Sequence, residues 1–197
     1  MYRIKSMIYT PKDYKLIPWR NGKGVTTELL RKDIPGSDKF LWRISSAPVT
    51  EDGEFSDFSG YDRIIVLLDG NGFKLSYSNG KTDVLKDLFD YASFSGDLRT
   101  YARLIDGPIR DFNIMTNRSY CSARVDIFRS FQTHEIETDS GIFLVYAVKN
   151  RMALRHNDNT KMHLQEKQLL CAEVKSKTNW IIEGDSIICV RISGNKV

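Results

Sequence analysis

Ten consecutive residues, Trp19-Arg20-Asn21-Gly22-Lys23-Gly24-Val25-Thr26-Thr27-Glu28, combine a large aromatic, a guanidinium, an amide, two glycines, two hydroxyls and a carboxylate. A core strand has no use for that mixture, whereas a site for a small polar molecule does. The planar fork of Arg20 can grip a carboxylate through two parallel hydrogen bonds. The amide of Asn21 can both donate and accept. Gly22 and Gly24 leave backbone N–H groups open to an anion. The run is not a phosphate loop, because GxxxxGK[ST] is absent. Further along, Arg43 lies on an alternating strand, Arg63 sits just before the most apolar one, and Asp111 and Asn113 share one face of theirs. Buried charges need partners, so these residues carry two readings. One is a structural network pairing Arg43 or Arg63 with Glu28 or Asp111. The other leaves one arginine to hold a ligand carboxylate. Trp19 likewise either walls the pocket or plugs the barrel end.

Other chemistries find less support. The first histidine is His134, so no Ser–His–acid set exists before it. Glu28 and Asp111 are the remaining candidates for acid/base work. The three cysteines, Cys121, Cys171 and Cys189, form no CxxC pair. His156, His163 and Glu166 are loosely spaced and lack an HxH pair, so they read as surface or turn residues rather than ligands. We expect no catalytic residue set, no metal and no cofactor. The net charge is +4 with basic and acidic residues interleaved, which argues against a nucleic-acid interface. No stretch approaches the roughly 18 apolar residues of a membrane span. Met1-Tyr2-Arg3-Ile4-Lys5 lacks the apolar run of a signal peptide. The expectation is a cytoplasmic protein that contacts no membrane.

Short strands must position these residues. Apolar runs at Lys5–Tyr9, Val25–Leu30, Phe40–Ala47 (ended by Pro48), Ile64–Leu68, Phe73–Tyr77, Tyr91–Phe94, Tyr101–Ile105 and Arg110–Met115 are separated by turn sequences such as Asp69-Gly70-Asn71-Gly72 and Ser78-Asn79-Gly80. Residues 55–62 read as a loop held by aromatics. Period two places Thr26, Glu28 and Leu30 on one face of their strand. Strands continue at Ala123–Phe128, Ile142–Val148, Met152–His156, Leu169–Val174, Asn179–Ile182 and Ile187–Ile192. No stretch holds helical periodicity over three turns. The halves superpose as a pattern: Ile64–Leu68 on Ile142–Tyr146, Phe73–Tyr77 on Met152–His156, and Phe112–Met115 on Cys189–Ile192. The offset of roughly 78 residues is the size of one small barrel. The fold expected is all-β, with two tandem cupin-like barrels, residues 1–118 carrying the site and residues 119–197 forming the second. Their outer faces are free for a homodimer.

The motif Trp19–Glu28 resembles the WRNGGGxTxE signature of the HutD/Ves family. So do Trp42–Ala47, Gly53–Ser56 with Phe58–Arg63, Leu68–Gly70 and Asp111–Thr116, in the same order. Lys23 departs from the glycine run, and Ser59 and Ser95 stand where the family often has proline. The resemblance implies a bicupin. It also implies a non-enzymatic regulator of histidine utilisation or stress response that binds a small anionic metabolite of the formylglutamate or urocanate type. The candidate ligand-binding residues are thus Trp19, Arg20, Asn21, Gly22, Gly24, Thr26, Glu28, Arg43, Arg63, Asp111 and Asn113. The alternatives are a metal-free enzyme acting on a small carboxylate through Glu28 or Asp111, and an interaction protein whose barrel is simply filled.

Overall fold

The computed structural model describes residues 4–19, 24–156 and 161–195. Every regular element among them is a β-strand. The first are β1 (Lys5–Tyr9), β2 (Lys15–Pro18), β3 (Val25–Asp33), β4 (Phe40–Val49), β5 (Gly53–Glu54), β6 (Tyr61–Asp69), β7 (Phe73–Tyr77), β8 (Thr82–Leu85), β9 (Tyr91–Ser95), β10 (Thr100–Leu104) and β11 (Ile109–Asn117). Then come β12 (Cys121–Phe128), β13 (Gln132–Thr138), β14 (Gly141–Ala147), β15 (Met152–His156), β16 (Met162–Leu164), β17 (Leu169–Val174), β18 (Thr178–Gly184) and β19 (Ile187–Gly194). Among the described residues no helix is long and apolar enough to cross a membrane.

Two compact units result. Residues Tyr14–Ser122 form one, in which the sheet β2-β3-β4-β11-β6-β9 faces the sheet β5-β10-β7-β8. The chain from Ala123 onward forms the other, with the sheet β1-β17-β14-β19-β12 and the sheet β13-β18-β15-β16. Adding eight to each strand number turns β4-β11-β6-β9 into β12-β19-β14-β17, and β5-β10-β7-β8 into β13-β18-β15-β16. The internal repeat read from apolar runs is therefore a repeat of strand order. In each unit one core lies between the two sheets. Ile65, Leu67, Phe73, Leu75 and Leu85 fill the first, and Phe143, Val145, Leu154, Trp180 and Ile187 the second.

Several expectations need correction. The boundary at 118/119 assigned β1 to the first barrel. Its strand instead pairs with β17, Met7 opposite Cys171, and so extends the second. Pro48 does not end its strand. β4 runs on to Val49, and Pro48 lies opposite Arg110 beyond the last registered pair with β3, where a missing N–H breaks no ladder to that side. Leu30 does not share a face with Glu28. Glu28 pairs with Ser45 and Leu30 with Ile44, so a bulge at Leu29 switches the face. His156 is no surface residue, being buried against the Trp180 ring at 4.8 Å.

Candidate functional site in the first barrel

Directly opposed residues of antiparallel strands point to the same side of a sheet. The ladder through β3, β4, β11 and β6 therefore builds the inner face of the first barrel row by row. One row is Glu28, Ser45, Asn113 and Ile65. The next, toward one end, is Arg43, Met115 and Arg63, continued by Phe94. On the other side, Ala47, Asp111 and Leu67 align. Period-two burial thus brings Glu28, Arg43, Arg63, Asp111 and Asn113 onto one surface, although 85 residues of chain separate the first from the last (113 − 28).

The charges are not equally matched. Arg43 Nε lies 3.1 Å from Glu28 Oε2, an ion pair whose side chains are only 12% and 8% exposed. The N–H is not aimed at that oxygen, and Nε has no hydrogen-bond acceptor. Burial pushes the Arg43 guanidinium below its usual range, and Glu28 partly opposes that. Arg63 is buried and makes no ion pair among the described residues. One terminal nitrogen donates to Asn113 Oδ1 at 2.9 Å, while Nε has no partner. The guanidinium instead sits among three rings, with its carbon 5.1 Å from the centroid of Phe55, 5.5 Å from Phe58 and 5.1 Å from Phe94. Desolvated cation–π contacts contribute about 2 kcal/mol each, enough for three to offset much of the several-kcal/mol cost of burying one cation. Burial lowers its pKa to about 10, so it stays charged at neutral pH.

Asp111 is also buried. Its Oδ1 accepts from the Ala47 N–H at 3.0 Å, and the Asn113 amide two residues on also favours its ionised form. Burial raises its pKa to about 6, against the pull of these two bonds and of Arg63. Asn113 thus links the cation to the carboxylate. Of the pairings open to Arg43 or Arg63 with Glu28 or Asp111, the Arg43–Glu28 pair is made, and among the described residues none joins Arg63 to Asp111.

Trp19 is half-buried at the start of the motif. Its indole N–H donates to Thr26 Oγ1 at 2.9 Å, and its backbone N–H to the Gly24 carbonyl at 2.9 Å. A Cβ on Gly24 would stand 2.9 Å from the indole ring, so a bare backbone at 24 is what lets the ring lie there. Arg20, Asn21 and Gly22 lie outside the described residues. Phe55, Phe58, Phe94 and Met115 belong to the cluster but were absent from the sequence-based set. The signal of Phe55 and Phe58, aromatics in the loop before Arg63, is legible only as loop packing. Among the described residues no three His, Cys, Asp or Glu side chains come together as a metal-ligand set.

Two sheet pairs in one chain that share an eight-strand order, one with an interior of arginines and carboxylates, define a two-barrel cupin-like protein. A family model described as HutD matches residues 11–190, and the chain belongs to that family. It is 36% identical over 141 residues to an uncharacterised 21.2 kDa protein in the hutC 3' region of Pseudomonas putida, covering 72% of this chain and 73% of that one. It is 39% identical over 117 residues to protein Ves of Escherichia fergusonii, covering 58% of this chain and 60% of the relative's length. Its fold superposes on HutD from Pseudomonas fluorescens SBW25, solved in a formate condition, with a TM-score of 0.84 at 26% identity, covering 98% of this chain and 100% of the other.

Proposed function

We propose that the first barrel binds a small carboxylate metabolite without a metal, and that the protein serves a regulatory or stress-response role connected with histidine utilisation. The observation that carries this reading is Arg63. This deeply buried cation, held among the described residues by an aromatic cage and one amide contact and with no acceptor there for its Nε, suits a carboxylate. Arg43, across Met115 in the same row, faces Glu28 through its Nε at 3.1 Å. Arg63, with a donor to spare, can meet a carboxylate through its planar fork beside that pair. The hutC-region relative and the formate condition of the P. fluorescens protein support the choice of ligand class and pathway.

Thermal shift with formate, formylglutamate and urocanate tests the reading. A bound anion at one hundred times its Kd stabilises the fold by about 2.7 kcal/mol. The wild type is expected to gain several degrees with at least one of these acids. Arg63→Gln, which keeps a hydrogen-bond donor for Asn113, is expected to lose that gain while remaining folded. No stabilisation of the wild type by any acid sinks the reading. A second reading, an enzyme using Asp111 as general acid or base, draws on that carboxyl's position near pKa 6. Turnover of a bound acid, abolished in Asp111→Asn with binding retained, would distinguish it.

A further inference from the structure

Among the described residues, the interior of the first barrel already balances its charge. Arg43 and Arg63 contribute two cations, and Glu28 and Asp111 contribute two anions, with Arg31 nearer the rim and paired to Asp33. A carboxylate entering this cluster brings a third negative charge into a buried space. An uncompensated charge there is expensive, and buried sites avoid it by shifting a proton.

We infer, resting on the carboxylate reading above, that the site takes its ligand together with one proton, and that Asp111 is the group that receives it. The ligand class is then a weak acid bound as anion plus proton, with the barrel staying neutral.

Geometry singles out Asp111 among the acids. Glu28 is held by the Arg43 guanidinium at 3.1 Å. Asp111 has no ion pair among the described residues, only the Ala47 N–H and the Asn113 amide. Protonation of its Oδ2 leaves the Ala47 bond to Oδ1 in place. The remaining charged and titratable groups around it do not compete. Arg63 on β6, Arg43 on β4 and Arg110 on β11 are cations that act on it through space. Tyr77 on β7 gives its hydroxyl proton to Asp83 on β8 at 2.7 Å, and its own ionisation is pushed upward. Asn113 adds a switch. Its amide oxygen accepts from Arg63, and the same amide favours the ionised form of Asp111. An anion that draws the Arg63 fork to itself frees that oxygen, and the link that stabilises ionised Asp111 is weakened.

The sign follows from linkage. The ligand favours the protonated form of Asp111, so binding tightens as pH falls and weakens as pH rises through the free-state pKa of about 6. Formate itself remains ionised throughout pH 6–8 and adds no titration of its own. Between pH 8 and pH 6 the apparent affinity of the wild type is expected to rise about fiftyfold, one proton being bound with the ligand.

Calorimetric titration of the full chain with sodium formate, at pH 6, 7 and 8 and in two buffers of different ionisation enthalpy, measures both the affinity and the proton count. The expected result is uptake of close to one proton at pH 7. Asp111→Asn, which still offers Ala47 an acceptor, is expected to show affinity flat across the range and no proton exchange. Saturable binding with flat affinity and no proton uptake in the wild type overturns this inference and leaves the carboxylate reading intact. No formate binding at any pH overturns both. Should the variant fail to fold, carboxyl-carbon NMR of the wild type replaces it. A side-chain carboxyl whose midpoint near pH 6 moves up on adding formate supports the inference, and one whose midpoint stays fixed overturns it.

Discussion

Trp180 in the second barrel and Ala102 in the first stand at the same place. Each is the third residue of its strand, two positions after a buried threonine whose hydroxyl donates to the carbonyl two residues before it: Thr178 to Ser176, and Thr100 to Leu98. Trp180 fills its interior. It is fully buried, its ring lies 4.9 Å from Phe143 and 4.8 Å from His156, and its N–H donates to Thr138 Oγ1 at 3.0 Å. Ala102 contributes a methyl group. The inward positions of the paired sheet differ in the same sense. Laying Ile65 on Phe143, the ladders put Gly141 in the place of Arg63, Cys189 in that of Asp111, and Arg191 in that of Asn113. Gly141 cannot be otherwise, since its φ of 139° and the Ile192 carbonyl beside it exclude a side chain. One strand order therefore supports two interiors. The first is lined by charged groups that need a partner, and the second is packed by a tryptophan that needs none.

The largest effect should come from removing that tryptophan. Trp180→Ala deletes a fully buried indole and leaves the Thr138 hydroxyl without its donor, a loss of about 3–5 kcal/mol in chemical denaturation. The emptied second barrel should still bind no formate, because no guanidinium replaces the indole. If Trp180→Ala acquired a second formate site, space rather than charge would be what separates the two barrels.

A smaller effect compares two ion pairs. Glu28→Gln strands the Arg43 cation in a nearly dry interior and should cost about 3 kcal/mol. In the second barrel Arg191 meets Asp126 at 2.6 Å, but with side chains 32% and 34% exposed. Asp126→Asn should cost under about 1 kcal/mol. Urea unfolding of the two variants measures the difference directly. Equal costs would remove burial as the distinction between the two mouths.

Much of this architecture could be read from residue order. The apolar run that forms β6 and the exact span of β7 are legible because half-buried strands alternate and Asp-Gly and Asn-Gly turns delimit them. The shared face of Asp111 and Asn113 follows from the same alternation, whereas Arg63 precedes an unbroken apolar run that does not say which way it points. Strands β2, β5, β8, β13 and β16 escaped because they are short or largely polar, with Lys15, Glu54, Thr82, Gln132 and His163 exposed on them. The bulge that turns Leu30 away from Glu28 has no sequence mark, since any residue can occupy it. Phe55 and Phe58 come from a loop and Phe94 from β9, so the cage around Arg63 exists only once β9 has paired with β6. The N-terminal strand joins the second barrel because pairing with β17, not chain position, decides its neighbours.

The most direct test of the asymmetry is a crystal structure of the protein grown in formate. The account predicts one formate within hydrogen-bonding distance of the Arg63 guanidinium in the first barrel, and none beside Trp180 in the second. Formate bound only at Arg191, or a well-ordered first barrel with Arg63 unliganded at saturating formate, would contradict it.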